Sequence, residues 1–128
     1  DMVKLREDFS FFCGWGAMGA MSLQWGADGI VPSTGNLVPE MYSALYKAAL
    51  SDDFATMNLW QLATDEAAVF YQKDLTLGQS LAALKCLMQG RGLCDAWMKR
   101  PLTEIPHEQC RTLKLAFNQW FNTFNVQP

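Results

Sequence analysis

The sequence has 128 residues, half of them apolar, and a formal charge of −3. That is globular composition, long enough to bury a core as one domain, and outside the polar, highly charged range of disordered chains. The mild acidity and the lack of any Lys/Arg block give no electrostatic basis for binding nucleic acid or an anionic membrane. No apolar stretch approaches the ~20 residues that a spanning helix needs.

In chain order, the opening DMVKLREDFSFF has charges inside it and no small-residue cleavage site, which predicts no signal peptide. Met2 and Leu5, three apart among charges, read as the tail of a helix over residues 2–7. Phe9 to Cys13 is a short β-favouring run ending at Gly14 and Gly16. It lacks strict alternation, which predicts a strand buried on both faces, as in parallel sheets. Residues 17–25, AMGAMSLQW, predict a short helix that Gly26 ends. Gly29-Ile30-Val31-Pro32 is the second strand candidate, and Pro32 stops it by removing a ladder donor. Ser33-Thr34-Gly35-Asn36 is loop chemistry, and Pro39 suits the first turn of a helix reaching Leu50. Phe9 to Leu50 thus reads β-α-β-α with a right-handed crossover.

The second half predicts helices alone. Ser51-Asp52-Asp53 can cap a helix running to about Gln72. Thr76 and Gln79 form a candidate capping box for the next, along which Leu77, Leu81, Leu84 and Met88 recur until Gly90 and Gly92 stop it. A last helix opens at Pro106 with one apolar stripe of Cys110, Leu113, Phe117, Trp120, Phe121 and Phe124. Cys13, Cys86, Cys94 and Cys110 are an even number but match no zinc spacing, and their apolar or helical surroundings predict buried free thiols in a cytosolic protein. His107, the one histidine, follows Pro106 in a first helical turn and reads as a surface residue. Asp52 and Asp53 are adjacent, so they suit a helix dipole better than an acid–base pair. No metal site or cofactor is predicted. Two strands do not make a stable parallel sheet alone.

Gly14-Trp15 after a strand, GADGIVPSTGN, a helix with LYKAAL, SDDFATM, and then MKRPLTEIPHEQ resemble the end of the pyruvate-handling class I aldolases. These are the dihydrodipicolinate synthase and N-acetylneuraminate lyase family. The resemblance covers nearly the whole chain, and GADGIVPSTGN and KRPLTEIP in this order are its most specific parts. It implies an α/β chain, predominantly α: the C-terminal part of a (β/α)8 TIM barrel, with strands seven and eight and their helices. Residues 1–50 would be the last two βα units and residues 51–128 a C-terminal helical extension. It implies a lyase or synthase that forms a Schiff base with pyruvate or a similar 2-oxo acid and takes an aldehyde partner; the cysteine reading adds a cytoplasmic location, and the strand edges left unpaired in such a piece predict association, as a homo-oligomer. The imine-forming lysine of strand six and the proton-relaying tyrosine of strand five would precede Asp1. None of Lys4, Lys47, Lys73, Lys85, Lys99 or Lys114 sits at a strand end here, so no catalytic residue is expected in this chain and the chain alone should be inactive.

Four residues match substrate-binding positions of the family. Gly14 falls where a glycine lets substrate approach the backbone, or is a plain turn glycine. Val31 falls where a carbonyl faces the substrate, although its side chain can also pack a barrel core. Ser33 matches a serine that bonds a substrate hydroxyl or carboxylate, or serves a turn. Trp15 offers an apolar wall where the lyase branch has acidic residues nearby; here Gly16 and Ala17 replace them, which favours a smaller or less hydroxylated aldehyde than sialic acid chemistry requires. The alternative is a non-catalytic helical interaction module whose aromatic stripes dock a partner.

Overall fold

Phe12 and Cys13 form β1, Gly29 and Ile30 form β2, and the two pair in parallel, Phe12 opposite Gly29 and Cys13 opposite Ile30. The computed structural model describes residues 8–124, so the helix tail expected at residues 2–7, with Lys4, lies outside the described residues. Asp28 ties the start of the pair together. Its N–H donates to the Phe11 carbonyl (2.9 Å), its carboxylate accepts from the Phe11 N–H (2.8 Å), and its carbonyl accepts from the Tyr46 hydroxyl (3.3 Å). Between the strands come a 3-10 turn, Gly16–Met18, and helix α1, Gly19–Gln24. Gly26 follows with φ +93°, the left-handed geometry that ends the helix where a glycine was expected to end it.

A second 3-10 turn, Ser33–Asn36, leads into α2, Pro39–Leu50, with Pro39 in its first turn. Helix α3 spans Phe54–Gln72, α4 Leu77–Gly90 and α5 His107–Phe121. The chain divides into two compact units after Glu66, inside α3. The first unit buries Leu37, Val38, Met41, Tyr42 and Leu45 from the segment around α2, and Met57 from α3. The second buries Ala67, Tyr71, Leu84, Leu87 and Phe117.

Local chemistry accounts for the helix boundaries. Asp53 Oδ1 accepts from the Thr56 N–H at 3.1 Å and caps α3. Thr76 and Gln79 make a reciprocal capping box at the start of α4. The stripe of α5 becomes an aromatic cluster: Phe117 meets Phe70 edge-on at 5.5 Å and Phe121 at 5.6 Å, and Trp120 meets Phe124 at 4.9 Å. Such pairs add about 0.5–1.5 kcal/mol each beyond area burial.

Two expectations are overturned. Phe9–Cys13 was expected to form a strand buried on both faces; β1 is two residues long and Phe12 is 57% exposed. The described residues hold a two-stranded sheet, so neither strand has a second neighbour to cover it. The thiol reading also fails for half of the cysteines. Cys86 on α4 and Cys110 on α5 form a disulfide, and Cys13 and Cys94 are free but only half-buried. The pairing comes from helix packing, which spacing does not reveal. Such bonds are rare in reducing compartments, so this one gives no support to the cytoplasmic placement.

Candidate active site

Because β1 and β2 run parallel, the residues after each strand emerge at one edge of the pair. Gly14 and Trp15 follow Cys13; Val31, Pro32 and Ser33 follow Ile30. The Val31 N–H donates to the Cys13 carbonyl at 2.8 Å and extends the pairing to that edge. All four residues predicted to bind substrate therefore stand on the two segments leaving this edge. Trp15 is 70% exposed and Val31 66%, so the Val31 side chain packs no core within this chain. A Cβ added at Gly14 would meet no atom within 4 Å, and its φ lies outside the left-handed range, so neither space nor backbone demands a glycine there. Ser33 opens the second 3-10 turn, and its carbonyl accepts from Asn36 Nδ2 at 3.0 Å.

Three residues near this edge escaped the sequence reading. Tyr42 is buried on α2, and its hydroxyl lies 3.0 Å from where a Gly16 Cβ would stand. Gln61 on α3 accepts from the Ala20 N–H (2.8 Å) and donates to the Gly16 carbonyl (3.0 Å) and to Asp65 Oδ1 (2.9 Å). Burial raises the Asp65 carboxyl above its ordinary range, partly offset by the hydrogen bond from Gln61. The available signal was a glutamine on the stripe Phe54, Met57, Gln61, Thr64, at a turn where an apolar residue would otherwise face inward.

Other candidates separate from this edge. Asp52 (φ 56°) and Asp53 form the turn before α3, where hydrogen bonds from the Thr56 side chain and backbone hold the Asp53 carboxyl below its ordinary range. The His107 side chain is 93% exposed, as expected for a surface histidine. It lines a cavity of about 360 Å³ in the second unit together with Trp97, Glu104 and the Cys86–Cys110 pair. Lys85 donates to the Trp97 carbonyl (3.0 Å) and lies over its ring. Among the described residues, no lysine lies on or beside a strand, no cluster of His, Cys, Asp or Glu could hold a metal ion, and no helix is long and apolar enough to cross a membrane.

The sequence profile of the dihydrodipicolinate synthetase family matches residues 2–119. The chain belongs to that family. It is 35% identical over 78 residues to the 4-hydroxy-tetrahydrodipicolinate synthase of Phenylobacterium zucineum, covering 61% of this chain and 25% of that protein. Among solved structures, the dihydrodipicolinate synthase of Bacteroides thetaiotaomicron superposes with a TM-score of 0.79 at 26% identity, over 88% of this chain and 38% of that one. YagE of Escherichia coli, a prophage protein of the dihydrodipicolinic acid synthase family solved with pyruvate, superposes with a TM-score of 0.75 at 21% identity, over 88% and 37%. A Sulfolobus solfataricus 2-keto-3-deoxygluconate aldolase variant gives 0.73 at 18% identity over the same shares, and at these lower identities the likeness is one of fold. The chain thus spans about a quarter of its curated family relative and under two fifths of these TIM-barrel structures.

Proposed function

We propose that these residues are the C-terminal part of a (β/α)8 barrel enzyme of the class I aldolase type, a Schiff-base lyase or synthase acting on pyruvate or a similar 2-oxo acid. In this reading β1 belongs to strand seven, β2 to strand eight and α2 to the last barrel helix. Residues 51–128 are the helical extension. Family membership and the parallel pairing of β1 with β2 support it. The observation that carries it is the convergence of Gly14, Trp15, Val31 and Ser33 on one strand edge, since barrel enzymes build their sites on the loops that follow the strands.

Each residue then has a task. Gly14 leaves its backbone open to substrate, Val31 turns its carbonyl toward the reacting atoms, Ser33 hydrogen-bonds a substrate oxygen, and Trp15 walls the aldehyde side. The electron-withdrawing step belongs to a protonated imine on a lysine of another strand, which eases making or breaking of the adjacent C–C bond. No cofactor or metal enters the scheme. The exposed Phe12 and Val31 beside open strand edges support cover by further barrel strands and assembly into a homo-oligomer.

Borohydride reduction in the presence of pyruvate tests this reading. The 128 residues alone should keep their mass, because none of their described lysines ends a strand, whereas a complete barrel carrying them should gain a reduced pyruvate adduct. An adduct on the 128-residue chain would refute the assignment of the lysine elsewhere. A complete barrel that traps nothing would refute the aldolase reading itself.

A further inference from the structure

We infer that Gln61 is a positioning residue for the loop that carries Trp15, and that through this loop it sets the enzyme's preference for its second, aldehyde substrate. The substrate half of the inference rests on the aldolase-type reading above. One side-chain amide makes three bonds. Its oxygen accepts from the Ala20 N–H, and its nitrogen donates to the Gly16 carbonyl and the Asp65 carboxylate, at 2.8, 3.0 and 2.9 Å. The two backbone partners bracket the 3-10 turn Gly16–Met18, for which Trp15 is the N-cap; the Met18 N–H closes that turn on the Trp15 carbonyl at 2.9 Å. Between the partners, a Cβ at Gly19 would lie 3.2 Å from the amide oxygen, so a residue without a side chain admits Gln61 this closely. Helix α1 has six residues, too short to hold its place by its own hydrogen bonds. Packing against α2 and β2 also seats α1, and the tie from α3 fixes the backbone on either side of the turn that Trp15 opens.

The geometry demands a donor and an acceptor on the same group. Leucine supplies neither. Glutamate supplies both only while protonated; ionised, it sets an acceptor against the Gly16 carbonyl and a second charge beside Asp65, the ionisable group bonded to this position. Asp65 also raises the pKa of such a neighbour, which brings its titration toward the assay range.

The test compares Q61L and Q61E in the complete enzyme. Q61L should raise the KM for the aldehyde by about tenfold at every pH, as expected for a misplaced wall residue, and leave the pyruvate KM and borohydride trapping within about twofold. Q61E should approach the unsubstituted enzyme near about pH 5 and fall behind it toward about pH 8. Independently of catalysis, the Ala20 amide should exchange with solvent faster in Q61L than in the unsubstituted protein at the same pH, whereas Q61E, which offers Ala20 an acceptor in either protonation state, should keep this protection. Equal rises in both KM values, or Q61E behaviour that ignores pH, would overturn the positioning role. An unchanged Ala20 exchange rate in Q61L would overturn the clamp. If the unsubstituted enzyme traps no pyruvate, the aldolase reading and the substrate half fall together, and the Ala20 measurement still decides the clamp. If Q61L fails to fold, the aldehyde KM of Q61E at low and high pH carries the decision on the positioning role, since ionisation removes the donor to Gly16.

Discussion

Gly16 offers a sharp test of the packing behind the candidate site. In Gly16→Ala the new Cβ would stand 3.0 Å from the Tyr42 hydroxyl, about 0.4 Å closer than the 3.4 Å at which ordinary contact begins. Tyr42 is buried, as are Met41 and Leu45 on the same helix, so overpacking there should cost about 1–3 kcal/mol. Opposing this, Gly16 does not use the left-handed region, and replacing such a glycine by alanine stiffens the unfolded chain, worth about 0.4–1 kcal/mol in favour of folding. The net expectation is a loss of about 1 kcal/mol. In a Tyr42→Phe background the clashing oxygen is gone and the nearest neighbour is the Pro32 Cβ at 3.4 Å, an ordinary contact. There Gly16→Ala should be neutral or slightly stabilising. Urea unfolding of the four proteins, followed by tryptophan fluorescence, closes the cycle. Whatever the Tyr42 hydroxyl contributes by itself cancels in the coupling term, expected at about 1–2 kcal/mol. Gly14→Ala, with open space around it, serves as the control and should not destabilise. Additivity of the two substitutions within about 0.5 kcal/mol would show that the hydroxyl does not bound this loop.

Trp15→Ala in the complete enzyme should change the aldehyde KM far more than the pyruvate KM, and equal changes would place Trp15 away from the aldehyde. Reduction of Cys86–Cys110, or its replacement by serines, should lower stability by about 3 kcal/mol through the loop of 24-residue separation, read as a fall in Tm on adding dithiothreitol; an unchanged Tm would count against the bond. The raised Asp65 carboxyl gives a pH signature. A carboxyl raised on folding stabilises the protein below its unfolded-state pKa, and that contribution is lost as pH rises through the raised value. Asp65→Asn keeps an acceptor for Gln61 without a charge to desolvate. Its Tm relative to the unsubstituted protein should therefore climb from about pH 3.5 to about pH 7, and a pH-independent difference would contradict the burial argument.

Where one local rule decides a feature, the sequence carried it. Pro39 at the first turn of α2, the Thr76–Gln79 box, Gly26 after α1 and the start of the last helix next to Pro106 follow from backbone chemistry within a few residues. The parallel sense of the strands was legible because an intervening helix demands a crossover. Features decided by distant partners were not. Cys86 meets Cys110 because α4 packs on α5, and no residue near either cysteine encodes that encounter. Strand burial was misread because an apolar run does not report how many neighbours a strand has, and in the two-stranded sheet of the described residues Phe12 stays exposed. At the strand edge, family motifs name Gly14, Trp15, Val31 and Ser33 as candidates, and the parallel pairing of β1 and β2 brings the segments that carry them to one edge. Gln61 could not, since its role comes from bonds to residues 41 and 45 positions earlier.

The most direct measurement is a crystal structure of the complete barrel enzyme after borohydride reduction with pyruvate. The adduct should lie at the edge where β1 and β2 end, with the Gly14 backbone and the Val31 carbonyl within contact distance of about 4 Å and Trp15 facing the space left for the aldehyde. An adduct elsewhere on the barrel, with these residues out of reach, would contradict the proposal that this edge is the substrate face.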